Sequence, residues 1–228
     1  MIHTYKLYIL KRHLFADLPE GRALIDTGAP FTASRTGKVT WGGNEETVKR
    51  GGYTGFTFDS LSANIGAQVD ILIGLDLLSK QSLEFDLIED ALRLGVPTPR
   101  DGSFAIKTMM GMPAVEIDLN GQTASALFDT GAQYGYVMDE KFGDIVRETA
   151  IFTDFSPLFG ELRPRQVWIL PFRLGGQDLD ETFGLAPEVM QLALGSFGFD
   201  AIIGLSWMDE RVTWLDLPGR RMKIGPRN

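Results

Sequence analysis

Ala23-Leu24-Ile25-Asp26-Thr27-Gly28-Ala29 and Ala126-Leu127-Phe128-Asp129-Thr130-Gly131-Ala132 are two copies of one stretch, and their reading decides the fold. Each is a short apolar strand that runs into a carboxylate, then a hydroxyl residue, then a glycine. The glycine lets the backbone turn tightly with its N–H near the carboxylate. A single Asp-Thr-Gly also makes an ordinary strand exit. Two copies in the same context imply a duplicated unit with paired carboxylates.

A second landmark repeats downstream. Val69-Asp70-Ile71-Leu72-Ile73-Gly74-Leu75 is answered by Phe199-Asp200-Ala201-Ile202-Ile203-Gly204-Leu205, an offset of 199 − 69 = 130. The same offset carries Asp86-Leu87 to Asp216-Leu217 and Arg93-Leu94-Gly95 to Lys223-Ile224-Gly225. The Asp-Thr-Gly copies lie 129 − 26 = 103 apart, so the second unit holds 130 − 103 = 27 extra residues between its landmarks. A repeat of over a hundred residues means two related lobes rather than a solenoid.

Asp-Thr-Gly-Ala followed by an apolar-apolar-Gly strand, twice in one chain, resembles the aspartic peptidases, the class of pepsin and the retropepsins. The resemblance covers nearly all of both units. It implies a mostly β, bilobal acid-protease fold, with two pseudo-twofold-related lobes and few short helices. Residues 1–97 form the first lobe, 98–102 a linker and 103–228 the second. It also implies that the two loops cross the apolar-apolar-Gly strands, with short helices at Leu75–Lys80 and Leu205–Arg211. Ala29 and Ala132 stand where pepsin usually has Ser or Thr, which is closer to retropepsins. Retropepsins build their site from two chains, whereas this chain carries both halves.

Composition bounds the function. A length of 228 residues accommodates two lobes of ordinary size, and 26 glycines suit a turn-rich β protein. The net charge of −8 argues against a nucleic-acid partner, which requires a basic face. With no cysteine there is neither a disulfide framework nor a thiol nucleophile. His3 and His13 have no partner cluster, so no metal or other cofactor is expected. The N-terminal segment alternates and lacks a signal-peptide core, and no run approaches the ~18 apolar residues of a membrane helix. The expectation is a cytoplasmic, soluble monomer without a long inhibitory propeptide.

Strands are expected at residues 4–10, at Leu14–Ile25 around Pro19-Glu20-Gly21, at Lys38–Trp41, and at Thr47–Arg50 and Phe56–Phe58. The buried run Val69–Ile73 and a hairpin about Glu89-Asp90 follow. In the second lobe, Asn120-Gly121 marks a hairpin between Val115–Leu119 and Ala124–Phe128. Residues 151–162 and 165–174 read as strands, Met138–Arg147 and Glu188–Leu194 as helices. Trp207, Trp214 and most methionines read as core.

The chemistry follows from the pair. Two carboxyl groups within hydrogen-bond distance cannot both ionise, so they share a proton and titrate as a unit. Asp26 and Asp129 alone have duplicated strand-end contexts, and they are the candidate dyad for hydrolysing peptide bonds in a peptide or protein substrate. Asp70/Asp200 and Asp86/Asp216 are also duplicated and read as turn and cap residues. By resemblance, the Thr27 and Thr130 hydroxyls bond across to the opposite loop, and the Gly28 and Gly131 amides hold the carboxylates coplanar. The alternative is a non-catalytic or latent peptide-binding module on the same fold. Resemblance also implies a flap. Tyr53, within Gly51-Gly52-Tyr53-Thr54-Gly55-Phe56, is one candidate. The longer second lobe favours residues 151–162, tipped near Ser156-Pro157-Leu158-Phe159-Gly160.

Overall fold

The computed structural model describes residues 1–143, 152–156 and 160–225. The duplicated stretches are its centre. Gly21–Ile25 pairs in parallel with Ile71–Ile73, matching Ala23 to Ile71 and Ile25 to Ile73. Gln122–Phe128 pairs in parallel with Ala201–Ile203, matching Ala126 to Ala201 and Phe128 to Ile203. These registers are the same pairing seen twice, since 23 + 103 = 126 and 71 + 130 = 201. The fold is mostly β, and it is bilobal.

Side-chain alternation explains why the stretches that pair, residues 23–25 with 71–73 and 126–128 with 201–203, are apolar throughout. Ala23, Ile25, Ile71, Ile73, Ala126, Phe128, Ala201 and Ile203 face one large core that runs through both lobes. The intervening Leu24 and Leu72 face a smaller first-lobe core, and Leu127 and Ile202 its second-lobe counterpart. Where a strand is sandwiched between two cores, over residues 23–25 and 126–128, it places no polar residue on either face, and the polar side chain follows where that run ends, at Asp26 and Asp129.

The lobes are stitched together at their base. Leu83–Asp86 pairs antiparallel with Val212–Asp216, with Glu84 opposite Trp214 and Phe85 opposite Thr213. Glu84 and Trp214 are themselves equivalents, 84 + 130 = 214, so the pseudo-twofold axis passes through this pair. The Trp214 indole Nε1 donates to Glu84 Oε2 at 2.6 Å. The hairpins on either side complete an eleven-stranded sheet shared by the lobes.

The other duplicated acids close turns. Asp70 accepts from the Arg22 amide at 3.1 Å, and Asp200 accepts from the equivalent Ser125 amide at 2.9 Å. Asp86 accepts from the Glu89 amide at 2.9 Å, and Asp216 from the equivalent Gly219 amide at 2.8 Å. These carboxylates terminate strands; none lines the inter-lobe cavity described below.

Several elements differ from expectation. Phe56–Thr57 is a strand, but Phe58–Ile65 is a helix. The Thr57 hydroxyl accepts from the Ser60 amide at 3.2 Å, Gly66 closes the helix in the left-handed region at φ 74°, and Phe58, Leu61 and Ile65 are buried on one face. Lys49–Arg50 does not pair with Phe56 but lies parallel to Ala33–Ser34. In the described part of the helix expected over Met138–Arg147 there is one 3₁₀ turn, Glu140–Phe142, capped by Asp139; residues 144–147 lie outside the described residues. The second apolar-apolar-Gly strand is likewise followed by only a 3₁₀ turn, Ser206–Met208.

This shorter turn has a chemical counterpart. In the first lobe the Gly74 amide donates to Thr32 Oγ1 at 3.0 Å, and Thr32 Oγ1 donates to Asp76 Oδ1 at 2.6 Å. The equivalents in the second lobe are Gly135 and Ser206, which cannot repeat that relay. Glu181, from the long strand Gln177–Leu185, takes the place: the Ser206 hydroxyl donates to its Oε1, and the Gly204 amide bonds it too.

Candidate active site

Asp26 and Asp129 close their strands side by side. The Asp26 amide donates to the Ile73 carbonyl at 3.0 Å and the Asp129 amide to the Ile203 carbonyl at 3.1 Å, so each loop leaves its strand at the same point. Each loop then crosses the glycine after the neighbouring strand. A Cβ on Gly74 would lie 2.8 Å from the Ala29 carbonyl oxygen, and one on Gly204 would lie 2.8 Å from that of Ala132. Only glycine lets the backbones approach so closely.

The two loops interlock through their threonines. Thr27 Oγ1 donates to the Phe128 carbonyl at 2.6 Å and accepts from the Thr130 amide at 2.9 Å. Thr130 Oγ1 donates to the Ile25 carbonyl at 2.8 Å and accepts from the Thr27 amide at 3.0 Å. Both threonines are fully buried. These four bonds satisfy four backbone groups that would otherwise be orphaned at strand ends. They also fix the distance between the lobes at the one place where it governs the carboxyl pair.

The Gly28 amide donates to Asp26 Oδ1 at 2.9 Å and the Gly131 amide to Asp129 Oδ1 at 2.8 Å. A Cβ on Gly28 would fall 2.5 Å from Asp129 Oδ2, and one on Gly131 would fall 2.5 Å from Asp26 Cγ. Each glycine is thus required by the opposite carboxylate as well as by its own loop. The two carboxyl groups therefore face each other across the loops, close enough for each to shift the other's titration. Burial raises Asp26 well above the usual carboxylate range, and the neighbouring Asp129 charge adds to this. Burial raises Asp129 too, opposed by the Gly131 amide, the facing Asp26 carboxyl and the Gly28 amide. The pair holds one proton under conditions where two isolated aspartates would have lost both.

Both lobes close over the pair. Between them lies a cavity of about 60 Å³, lined by the dyad, Tyr53, Asp154, Phe155 and Ser156. Tyr53 sits on the short hairpin Gly52–Tyr53/Phe56–Thr57, its ring 4.7 Å from that of Phe31. Its hydroxyl is buried without a hydrogen-bond partner among the described residues, and burial, then the Asp26, Asp129 and Asp76 charges, hold it above the usual phenol range. Asp154–Ser156 pairs antiparallel with Gly160–Leu162 in the second lobe. The hairpins meet where Phe56 and Phe155 pack edge to face, ring centres 5.1 Å apart. Pro157, Leu158 and Phe159 lie outside the described residues.

One cavity residue within the expected flap, Asp154, was not singled out from sequence. Asp154 is buried, accepts from the Tyr136 hydroxyl at 2.8 Å and from the Phe155 amide at 2.7 Å, and is pushed up by burial to about 6. Met190 belongs to the second-lobe core and Met112 packs against it, as expected, and both also line the cavity. The signal for Asp154 was available as a lone acid between Phe152 and Phe155, yet nothing in an isolated acid tells wall from turn.

No protein-family model and no curated protein matches the chain. Among solved structures, the aspartic proteinase from Irpex lacteus is similar over 100% of this chain and 98% of that one, with a TM-score of 0.55 and 12% identity. The Simian Foamy Virus (mac) protease is similar over 42% of this chain and 90% of that one, with a TM-score of 0.30 and 19% identity. The full-length similarity identifies an aspartic-protease-like fold.

Proposed function

We propose that the chain is an aspartic-type endopeptidase, with Asp26 and Asp129 as its catalytic dyad and the inter-lobe cleft as its substrate site. The observation that supports this reading is the juxtaposition of Asp26 and Asp129 on interlocked, duplicated loops, where a Cβ on the glycine of either loop would meet the opposite carboxyl group at 2.5 Å. A dyad holding one proton has both partners needed for hydrolysis. The ionised carboxylate takes a proton from a water lying between the pair, and the water oxygen attacks the scissile carbonyl carbon. The protonated carboxyl donates to the developing oxyanion. Collapse of the tetrahedral species breaks the C–N bond as a dyad proton passes to the leaving nitrogen, and the pair returns to its single-proton state.

Thr27 and Thr130 keep the carboxyl groups facing each other, and Gly28 and Gly131 hold them in plane. The cavity has room for a few waters and too little for a polypeptide segment. Substrate therefore enters when the hairpins lift, and their return excludes bulk water from the reacting atoms. Residues 151–162 act as the major flap, with Tyr53 on the smaller opposing hairpin. One chain supplies both aspartates, so the monomer is the active unit.

Incubation with a denatured protein in ¹⁸O-water, followed by mass spectrometry, tests this reading. New C-termini carrying one solvent oxygen are expected between weakly acidic and near-neutral pH. No new termini across that range would leave the fold serving as a peptide-binding module.

A further inference from the structure

From the wall of the same cleft we infer that Asp154 is a specificity determinant, which selects substrates with a lysine or arginine side chain beside the scissile bond. The inference rests on the peptidase reading and extends it to a substrate class. Asp154 opens the strand Asp154–Ser156 and lines the cavity that holds the dyad. Its surroundings there are apolar: Leu127, Leu162, Met190, Leu194 and Ile202 complete that side of the wall.

A carboxylate with 5% exposure in such a wall needs compensation. Among the described residues its donors are neutral, the Tyr136 hydroxyl on Oδ2 and the Phe155 amide on Oδ1. No cationic side chain pairs with it among the described residues. Burial lifts Asp154 only to about 6, so it is ionised at neutral pH, and the dyad adds a second negative charge nearby. A turn-capping acid would have no reason to face the cavity from which substrate is cut.

The wall therefore combines a long apolar surface with a negative end. Lysine and arginine have the complementary form, an aliphatic stem that packs on apolar surface and a cationic head. Bringing such a head to Asp154 replaces neutral partners with a charge-assisted bond. A substrate with an isosteric apolar side chain fills the same space and leaves the carboxylate uncompensated, which is discrimination by an unpaired charge.

The test profiles cleavage of a denatured proteome by the intact chain, then compares two peptides that differ only by lysine or norleucine at the position found. Lysine and arginine should be enriched at one fixed position relative to the cut bond. The ratio of kcat/KM for the lysine and norleucine peptides should be about tenfold or more, falling to about one in Asp154→Asn. Cleavage without a cationic preference in the native chain would overturn the inference while leaving the peptidase reading intact, and it needs no variant to fold. A preference that survives Asp154→Asn would overturn the assignment to this residue. Absence of any cleavage would remove the peptidase reading, and this inference with it.

Discussion

Glu181 offers a perturbation whose size follows from the structure. It is 2% exposed, and burial pushes its carboxyl up to about 8 from 4.5. Its Oε1 accepts from the Ser206 hydroxyl and from the Thr182 amide at 3.2 Å, while Oε2 is buried with no partner among the described residues. Below pH 4.5 folded and unfolded chains both hold the proton. Between 4.5 and 8 the unfolded chain releases it and the folded chain keeps it, so stability falls as pH rises and levels off above 8. The distance from 4.5 to 8 corresponds to about 5 kcal/mol for this one group. Glu181→Gln keeps the acceptor for Ser206 and Thr182, and its amide occupies Oε2 in the same unpartnered state as the protonated acid. The variant should therefore match the native chain near pH 5 and exceed it in stability by several kcal/mol at pH 9. Urea unfolding of both proteins across this range measures the difference, with other titrating groups cancelling between them. Parallel curves would mean that Glu181 is ionised in the folded protein at neutral pH and that its burial is compensated in some other way.

Three further outcomes are expected. Thr27→Val and Thr130→Val each leave a buried carbonyl and amide of the opposite loop without their partners, and should cost roughly 2–4 kcal/mol in chemical denaturation and lower kcat more than they raise KM. Because the chain has no cysteine, Phe56→Cys/Phe155→Cys can be joined by a short reducible cross-linker, which should stop peptide cleavage until reductant is added; unimpaired turnover when linked would show that substrate enters without the hairpins parting. Ala29→Ser/Ala132→Ser would offer the dyad hydroxyl donors that favour the ionised form, so the bell-shaped kcat/KM profile should move toward acid. A profile that stays in place would assign the dyad's acidity to burial and the loop amides alone.

The duplicated landmarks made the central strands and the pairing of the two Asp-Thr-Gly loops legible in the sequence, and the resemblance implied the loop crossings, but the parallel register of the strands came only with the structure. The roles of Asp70, Asp86, Asp200 and Asp216 were legible from the repeat too, as each recurs at a strand boundary. The helix Phe58–Ile65 was not, although Thr57, the spacing of Phe58, Leu61 and Ile65, and Gly66 form a complete cap-to-cap signal. The glycines and aromatics of residues 51–56 carry the stronger local signal, that of a hairpin, and Phe58 continues its apolar run. Glu181 and Asp154 lay beyond reach for another reason. Both belong to the part of the second lobe that carries its extra residues, so the repeat gives no equivalent for comparison. Their burial depends on tertiary partners, Ser206 and Tyr136, that lie far off in the sequence.

The central claim is that two carboxyl groups from two halves of one chain act as a single catalytic unit. It is tested most directly by the cleavage rate of one denatured protein substrate with the native chain, Asp26→Asn and Asp129→Asn, each verified as folded by its unfolding transition. Either substitution alone should lower the rate by about 10³-fold or more, since neither carboxyl can serve as both base and acid. Either variant cutting the same bonds at a rate close to the native one would contradict the account.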